Sequence, residues 1–186
     1  KRLNRISPLT DIILFSEESA FDDLVIDCVI DKNLPSDQIH AEILEAIDRR
    51  KLLDDAGMFG HSRSLRDSAT RIKQVAPTDI SVLVMGPSGT GKELITRSIH
   101  ANSPRRNNEY ISINCASIPE NLLESELFGY EKGAFTGADR TQTGLLQQAH
   151  KGTLFLDEIG ELHPHLQAKL LRAIDTKTFM PVGARK

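Results

Sequence analysis

The run Gly86-Pro87-Ser88-Gly89-Thr90-Gly91-Lys92 constrains this chain more than any other stretch. Its glycines let the backbone curl until successive N–H groups point into one concavity. A helix starting just after it adds the positive end of its dipole, and the two together attract phosphate. The context matches the P-loop pattern. Ile80–Met85 is apolar and β-branched, so a strand is expected before the turn, and Lys92–Ala101 reads as a helix after it. Lys92 is then placed to reach the β- and γ-phosphates of ATP. The candidate nucleotide-binding residues are Gly86, Pro87, Ser88, Gly89, Thr90, Gly91, Lys92 and Glu93. A plain glycine-rich turn is the alternative. Glu93 stands where Ser or Thr normally holds magnesium, so another carboxylate or water must do more of that work.

A second motif supplies that carboxylate. Gly152-Thr153-Leu154-Phe155-Leu156-Asp157-Glu158 reads as a buried strand ending in two acids. Consecutive strand residues face opposite ways, so the acids can divide the work. Asp157 is expected to hold magnesium, directly or through water, and Glu158 to orient or deprotonate the attacking water. A solvated acidic turn is the alternative. Together the two motifs describe a hydrolytic P-loop NTPase without revealing what the hydrolysis moves.

Strands alternating with helices imply an α/β fold with a parallel sheet between helices. Ser62 can cap a helix through Val75, Tyr110–Cys115 reads as a strand, Pro119 suits the first turn of a helix through Phe128, and Pro164–Ile174 reads as a helix. A glycine-punctuated loop is expected over Gly129–Ala138. Further forward, Asp11–Phe15 and Leu24–Ile30 read as strands. Pro35-Ser36-Asp37 then caps a helix with Ile39, Ile43, Leu44 and Ile47 on one face and Arg49-Arg50-Lys51 near its end, where cations suit the dipole. That apolar stripe can pack on the preceding strands or serve a coiled-coil dimer. Ala56-Gly57-Met58-Phe59-Gly60 reads as the joint between the leading segment and the rest.

Composition narrows the class. A net charge of −3 gives no global pull toward DNA or anionic membrane. The two cysteines, Cys28 and Cys115, stand far apart and suggest buried thiols in a reducing cytoplasm, with no disulfide framework or zinc site. No apolar run approaches the ~18 residues that span a bilayer, and no apolar signal-type stretch follows the basic start Lys1-Arg2-Leu3-Asn4-Arg5. With no initiating Met, the chain reads as a piece of something longer. Protein kinase and small-molecule hydrolase motifs are lacking.

Gly133-Ala134-Phe135-Thr136-Gly137-Ala138 carries one large aromatic and one hydroxyl on a small-residue loop. By physics alone Phe135 can anchor a partner or tuck inward as part of a turn. As a string, the loop resembles the signature of sigma-54-dependent, NtrC-like AAA+ activators. So do Ile113-Asn114-Cys115-Ala116, Pro119 through Gly129, Leu154 through Glu161, Gln167 through Arg172 and the Gly91-Lys92-Glu93 ending of the P-loop. The resemblance covers about Phe59–Gly183.

The resemblance implies a truncated AAA+ P-loop NTPase without its lid. It implies ATP and Mg as cofactors, a homo-oligomer from dimer to hexameric ring, and hydrolysis that moves the signature loop. In such proteins the loop contacts sigma-54 and remodels the closed RNA polymerase holoenzyme–promoter complex. Carried over, Gly133, Phe135, Thr136 and Gly137 form the partner contact, and Asn114 matches the switch asparagine that can bond Glu158. A strand-end residue satisfying backbone groups is the other reading of Asn114. DNA binding would belong to a domain outside this chain. The first sensor, arginine fingers and lid are likewise expected beyond it, Arg172 and Arg185 match no finger, and the segment alone is expected to bind ATP weakly and turn it over poorly.

Three departures stand out. Pro87 replaces the family's usual glutamate and should stiffen the turn. Gln147 and Pro181 stand where the family usually has glutamate and arginine, a communicating ion pair. With both charges gone together, neither is orphaned, and ATP-to-loop coupling is expected to take another route. In front, Ile12–Ser16 and Cys28–Pro35 resemble the end of a receiver domain, with Ser16 at the hydroxyl position and Lys32 at the lysine position. Asn33 departs from the usual proline, the spacing is short, and no phosphate-accepting aspartate is visible. A small connector with a solvated Lys32 is the alternative. The expected divisions are therefore 1–37, a receiver-like remnant; 38–58, a helical linker; and 59–186, the ATPase domain. A remodelling ATPase acting on another partner and a non-catalytic nucleotide-binding regulatory module remain the competing functions.

Overall fold

The computed structural model describes residues 13–16, 26 and 28–184. The basic start, Asp11 and Ile12 of the first expected strand, Leu24, Val25 and Asp27 of the second, and Arg185 lie outside them. The chain forms two compact units, Lys1–Ser103 and Pro104–Lys186.

In the first unit β1 (Ile13–Ser16) and β2 (Cys28–Asp31) pair in parallel, Ile13 opposite Cys28 and Ser16 opposite Asp31. The helix α1 (Ser36–Asp55) follows. It starts two residues before the charged stretch at Gln38, and its cap is the backbone of Pro35, whose carbonyl accepts from the Gln38 and Ile39 amides at 3.0 Å; no side chain caps it. Arg49-Arg50-Lys51 do not reach its last turn. The helix runs one turn further because Leu52 and Leu53 are buried with Met58, Ala69 and Ile72. Arg50 instead pairs with Asp54 at 3.0 Å and Arg49 with Glu45 at 3.8 Å, contacts of the i,i+4 kind.

The Gly57 joint is a helix cap. Gly57 takes φ 67°, its amide donates to Asp54 O at 3.0 Å, and the Met58 amide donates to Leu53 O at 2.8 Å. This double return is a Schellman motif, which needs a left-handed residue at the glycine. Helix α2 (Arg63–Val75) opens as expected on Ser62, whose Oγ accepts from the Leu65 amide, and α3 (Lys92–Ala101) closes the unit.

One expected strand is absent. Ile80–Met85 joins no ladder, and Leu83 and Met85 are 70% and 84% exposed. The segment is apolar on both faces, the pattern of an inner strand, and such a strand exists only between neighbours that complete its hydrogen bonds. Among the described residues of this unit the one ladder is β1·β2, which does not take it in.

The second unit runs β3 (Tyr110–Asn114), α4 (Glu120–Phe128), β4 (Gly129–Tyr130), β5 (Gln142–Thr143), α5 (Leu145–Gln148), β6 (Thr153–Asp157) and α6 (Pro164–Thr176). Pro119 serves as the cap just before α4. β3 and β6 pair in parallel from Tyr110 opposite Thr153 to Asn114 opposite Asp157. Ile113, Leu123, Leu127, Phe128, Leu166 and Leu170 form the core below them. Lys169 fastens α6 to α4, 2.9 Å from Glu124 Oε1 and 4.2 Å above the Phe128 ring. The β4–β5 hairpin went unforeseen, because two-residue strands are too short to show a period.

Candidate nucleotide site and partner loop

The glycine-rich loop curls as the sequence implies even though the segment ahead of it forms no strand. Gly89 and Gly91 take φ 78° and 85°, a conformation that penalises any side chain. Gly91 is the N-cap of α3 and no side chain caps that helix, which leaves its opening amides for an anion. Thr90 Oγ1 donates to Pro87 O at 2.8 Å, and Lys92 Nζ lies over the loop, 3.2 Å from Gly86 O and 3.1 Å from Pro87 O. A positive charge thus sits within an uncapped, amide-rich curl, an arrangement that suits a polyphosphate. Glu93 is engaged by Arg97, at 2.8 Å and 3.0 Å, in an exposed i,i+4 pair.

In the second unit Asp157 ends β6 and Glu158 follows it into the left-handed region at φ 51°, ψ 42°. This turn, rather than strand alternation, separates the two carboxylates. The Glu158 amide donates to Asp157 Oδ1 at 3.0 Å. A non-glycine residue pays about 1–2 kcal/mol for that conformation. Among the described residues the other two of this kind, Lys151 and Lys177, sit at a turn and a helix C-cap, and Glu158 alone follows directly on a strand. Asn114 lies opposite Asp157 in the ladder, and its Oδ1 accepts from the Ala116 amide at 2.9 Å, capping a short helical turn. Its described bond is therefore to backbone. Burial, then the charge of Asp157, raises the thiol pKa of neighbouring Cys115.

The Gly133–Ala138 loop is a closed turn on the β4–β5 hairpin. The Gly133 amide donates to Ala138 O at 2.8 Å and the Ala138 amide to Phe135 O at 3.0 Å, with Gly133 and Gly137 at φ 82° and 97°. Thr136 is exposed and Phe135 is 43% exposed. The ring points partly outward yet rests on Tyr130, 5.0 Å between centroids at 59°. Sequence reasoning missed Tyr130; the only signal was an aromatic five residues before Phe135. The Pro181 stretch braces the hairpin: the Glu131 amide donates to Val182 O at 3.0 Å and the Val182 amide to Gly129 O at 2.8 Å. Gln147 is exposed on α5.

A P-loop ahead of a helix and an acid-tipped parallel strand mark an α/β fold of the P-loop NTPase class. Residues 58–186 match the family described as Sigma-54 interaction domain, and the chain belongs to it. It is similar to the regulator UacR of Escherichia coli (strain K12), 57% identical over 68% of this chain and 22% of that protein. It is also similar to the transcriptional regulatory protein ZraR of Klebsiella oxytoca, 39% identical over 100% of this chain and 45% of the relative. Among solved structures, NtrX from Brucella abortus in complex with ATP aligns at TM-score 0.61 with 29% identity, over 100% of this chain and 45% of that one. The chain thus spans less than half the length of these relatives. No helix among the described residues is long and apolar enough to cross a membrane.

Proposed function

We propose that this chain is the nucleotide-binding part of an ATP-driven, sigma-54-dependent transcription activator. Gly86–Glu93 grips the triphosphate, and Lys92 neutralises its β- and γ-oxygens. Asp157 holds magnesium; one carboxylate suffices, because that ion usually keeps several waters and binds substrate phosphates rather than an all-protein cage. When bound, it polarises the phosphoryl oxygens. Glu158 takes the proton of the attacking water, and its backbone is held in a strained left-handed conformation just past the strand end. Asn114, adjoining Asp157 in the ladder, relays the outcome of hydrolysis to the Gly133–Ala138 loop, whose Phe135 and Thr136 meet sigma-54.

The observation that carries this reading is the uncapped start of α3 with Lys92 Nζ folded over its own glycine-rich loop. The match over residues 58–186 and the likeness to an ATP complex support it. The same reading divides the chain into a receiver-like remnant at 1–37, a linker at 38–58 and the ATPase domain from 59, and makes the complete protein a cytoplasmic ring-former that binds DNA elsewhere. In place of the family's ion pair, the backbone brace from Val182 to Gly129 and Glu131 links Pro181 to the loop.

Glu158→Gln in the complete protein tests the proposal. Hydrolysis should fall at least ~100-fold, in line with the loss of a general base, while ATP still binds and a sigma-54 complex still forms with a nucleotide analogue. Unchanged turnover would remove Glu158 from the reaction. A variant that binds ATP but never sigma-54 would favour a remodelling ATPase with another target.

A further inference from the structure

Phe135 touches an aromatic partner within its own hairpin, and that partner is unusually well fixed. Tyr130 lies opposite Gln142 in the antiparallel β4–β5 pair and forms a parallel bridge to Val182, so its backbone is held from both sides. Its side chain is held as well: Tyr130 Oη donates to Gln142 Oε1 at 3.0 Å. The ring of Phe135 rests on this seat at a 5.0 Å centroid separation and a 59° tilt, within the range of favourable aromatic pairs. Within Gly133–Ala138 the backbone is closed by turn bonds, and Gly133 and Gly137 face open space.

The neighbouring bonds tie the loop's base, Ala134 lies close against Gly183, and the Phe135 side chain rests on Tyr130. Lys132 donates its amide to Thr141 Oγ1 at 3.2 Å, and that hydroxyl donates to Glu131 Oε2 at 3.0 Å. These close the hairpin below the glycines. Above them, the Tyr130 ring is the one aromatic contact described for Phe135.

We infer that Tyr130 is a positioning residue, the seat that holds Phe135 against the hairpin and sets how often the tip is free to meet a partner. This rests on the reading of Phe135 as the partner-contacting ring. Lifting the tip exchanges the Tyr130 contact for one with the partner. The seat therefore lowers affinity in the resting state and returns the loop once the partner is released. An aromatic pair of this kind shifts a seated–free equilibrium roughly three- to tenfold.

The chain contains no tryptophan, so a single tryptophan at the tip is a clean reporter. Acrylamide quenching is measured in the full chain carrying Phe135→Trp, alone and combined with Tyr130→Phe or Tyr130→Leu. The Leu variant should raise the quenching constant severalfold, and the Phe variant, which keeps the ring, should stay within about a third of the way from the Tyr130 parent. Leucine conserves apolar volume, and melting temperature checks that the hairpin persists. Equal quenching in all three overturns the seat, and so does equal quenching in the Phe and Leu variants. Sigma-54 binding by chains with native Phe135 is measured alongside. If quenching responds while no chain binds sigma-54, the seat stands and the partner assignment fails.

Discussion

The glycine-rich turn of the first unit and the acidic strand end of the second are made in opposite ways. The glycine-rich loop is held by bonds that span three to six residues, from Thr90 to Pro87 and from Lys92 to Gly86 and Pro87. The acidic tip depends on β6 pairing with β3, where Asn114 meets Asp157. The loop therefore takes shape although Ile80–Met85 ahead of it joins no ladder, whereas Asp157 and Glu158 have a direction only because a distant strand supplies one. A phosphate nest is a local object, and a carboxylate pair at a strand end is a tertiary one.

That contrast can be broken by substitution, most forcefully at its glycines. A β-carbon on Gly129 would lie 2.5 Å from Gln142 O and 2.6 Å from Gly144 N, at φ 75°. Gly129→Ala should cost about 3–5 kcal/mol and open the hairpin. Gly89 faces open space at φ 78°, so Gly89→Ala should cost about 1 kcal/mol of stability and register mainly in nucleotide affinity. Denaturant titration of both variants checks the difference; equal losses would erase it.

The next largest effect concerns burial. Leu127 is 0% exposed and Leu83 is 70% exposed. Leu127→Ala should cost about 2–5 kcal/mol, and Leu83→Ala within about 0.5 kcal/mol of nothing, by the same titration. A large loss at Leu83 would mean that Ile80–Met85 is a buried strand after all.

A smaller effect of opposite sign belongs to Glu158. At φ 51°, Glu158→Gly should relieve backbone strain and raise stability by about 0.5–1 kcal/mol while abolishing hydrolysis. Thermal melts beside a phosphate-release assay separate the two. A destabilised Gly variant would show that the carboxylate is held by more than its backbone.

Cys115 provides the slightest test. Its folded thiol pKa is raised above the ordinary 9.0 by burial and then by Asp157. The native state therefore favours the thiol, and its stability relative to the unfolded chain should decline as pH climbs above about 9. Below that pH the thiol should alkylate more slowly than in the unfolded chain. Alkylation at equal rates would place Asp157 and the core elsewhere.

The same contrast explains what the sequence disclosed. Whatever rests on local rules was legible: the Ser62 cap, the helix from Lys92, the glycine-rich turn, and the strand from Thr153 to Asp157 bounded by Gly152, which backs onto Glu109 with no room for a side chain. What depends on distant partners was not. Ile80–Met85 has the composition of a strand but no neighbour in its unit. α1 outran its cations because Leu52 and Leu53 found a core made by α2. The left-handed turn at Glu158, the β4–β5 hairpin and the Tyr130 seat arise from contacts that no periodicity records.

The proposed grip of the curled loop and its lysine on a triphosphate is the step on which the rest depends. Its most direct test is equilibrium binding of a fluorescent ATP analogue to this chain and to Lys92→Ala. Loss of a charge-assisted hydrogen-bonding group should raise Kd roughly 10- to 100-fold with the melting temperature unmoved, because the bonds described for the Lys92 ammonium go to its own loop. Identical Kd values for the two chains would contradict the account.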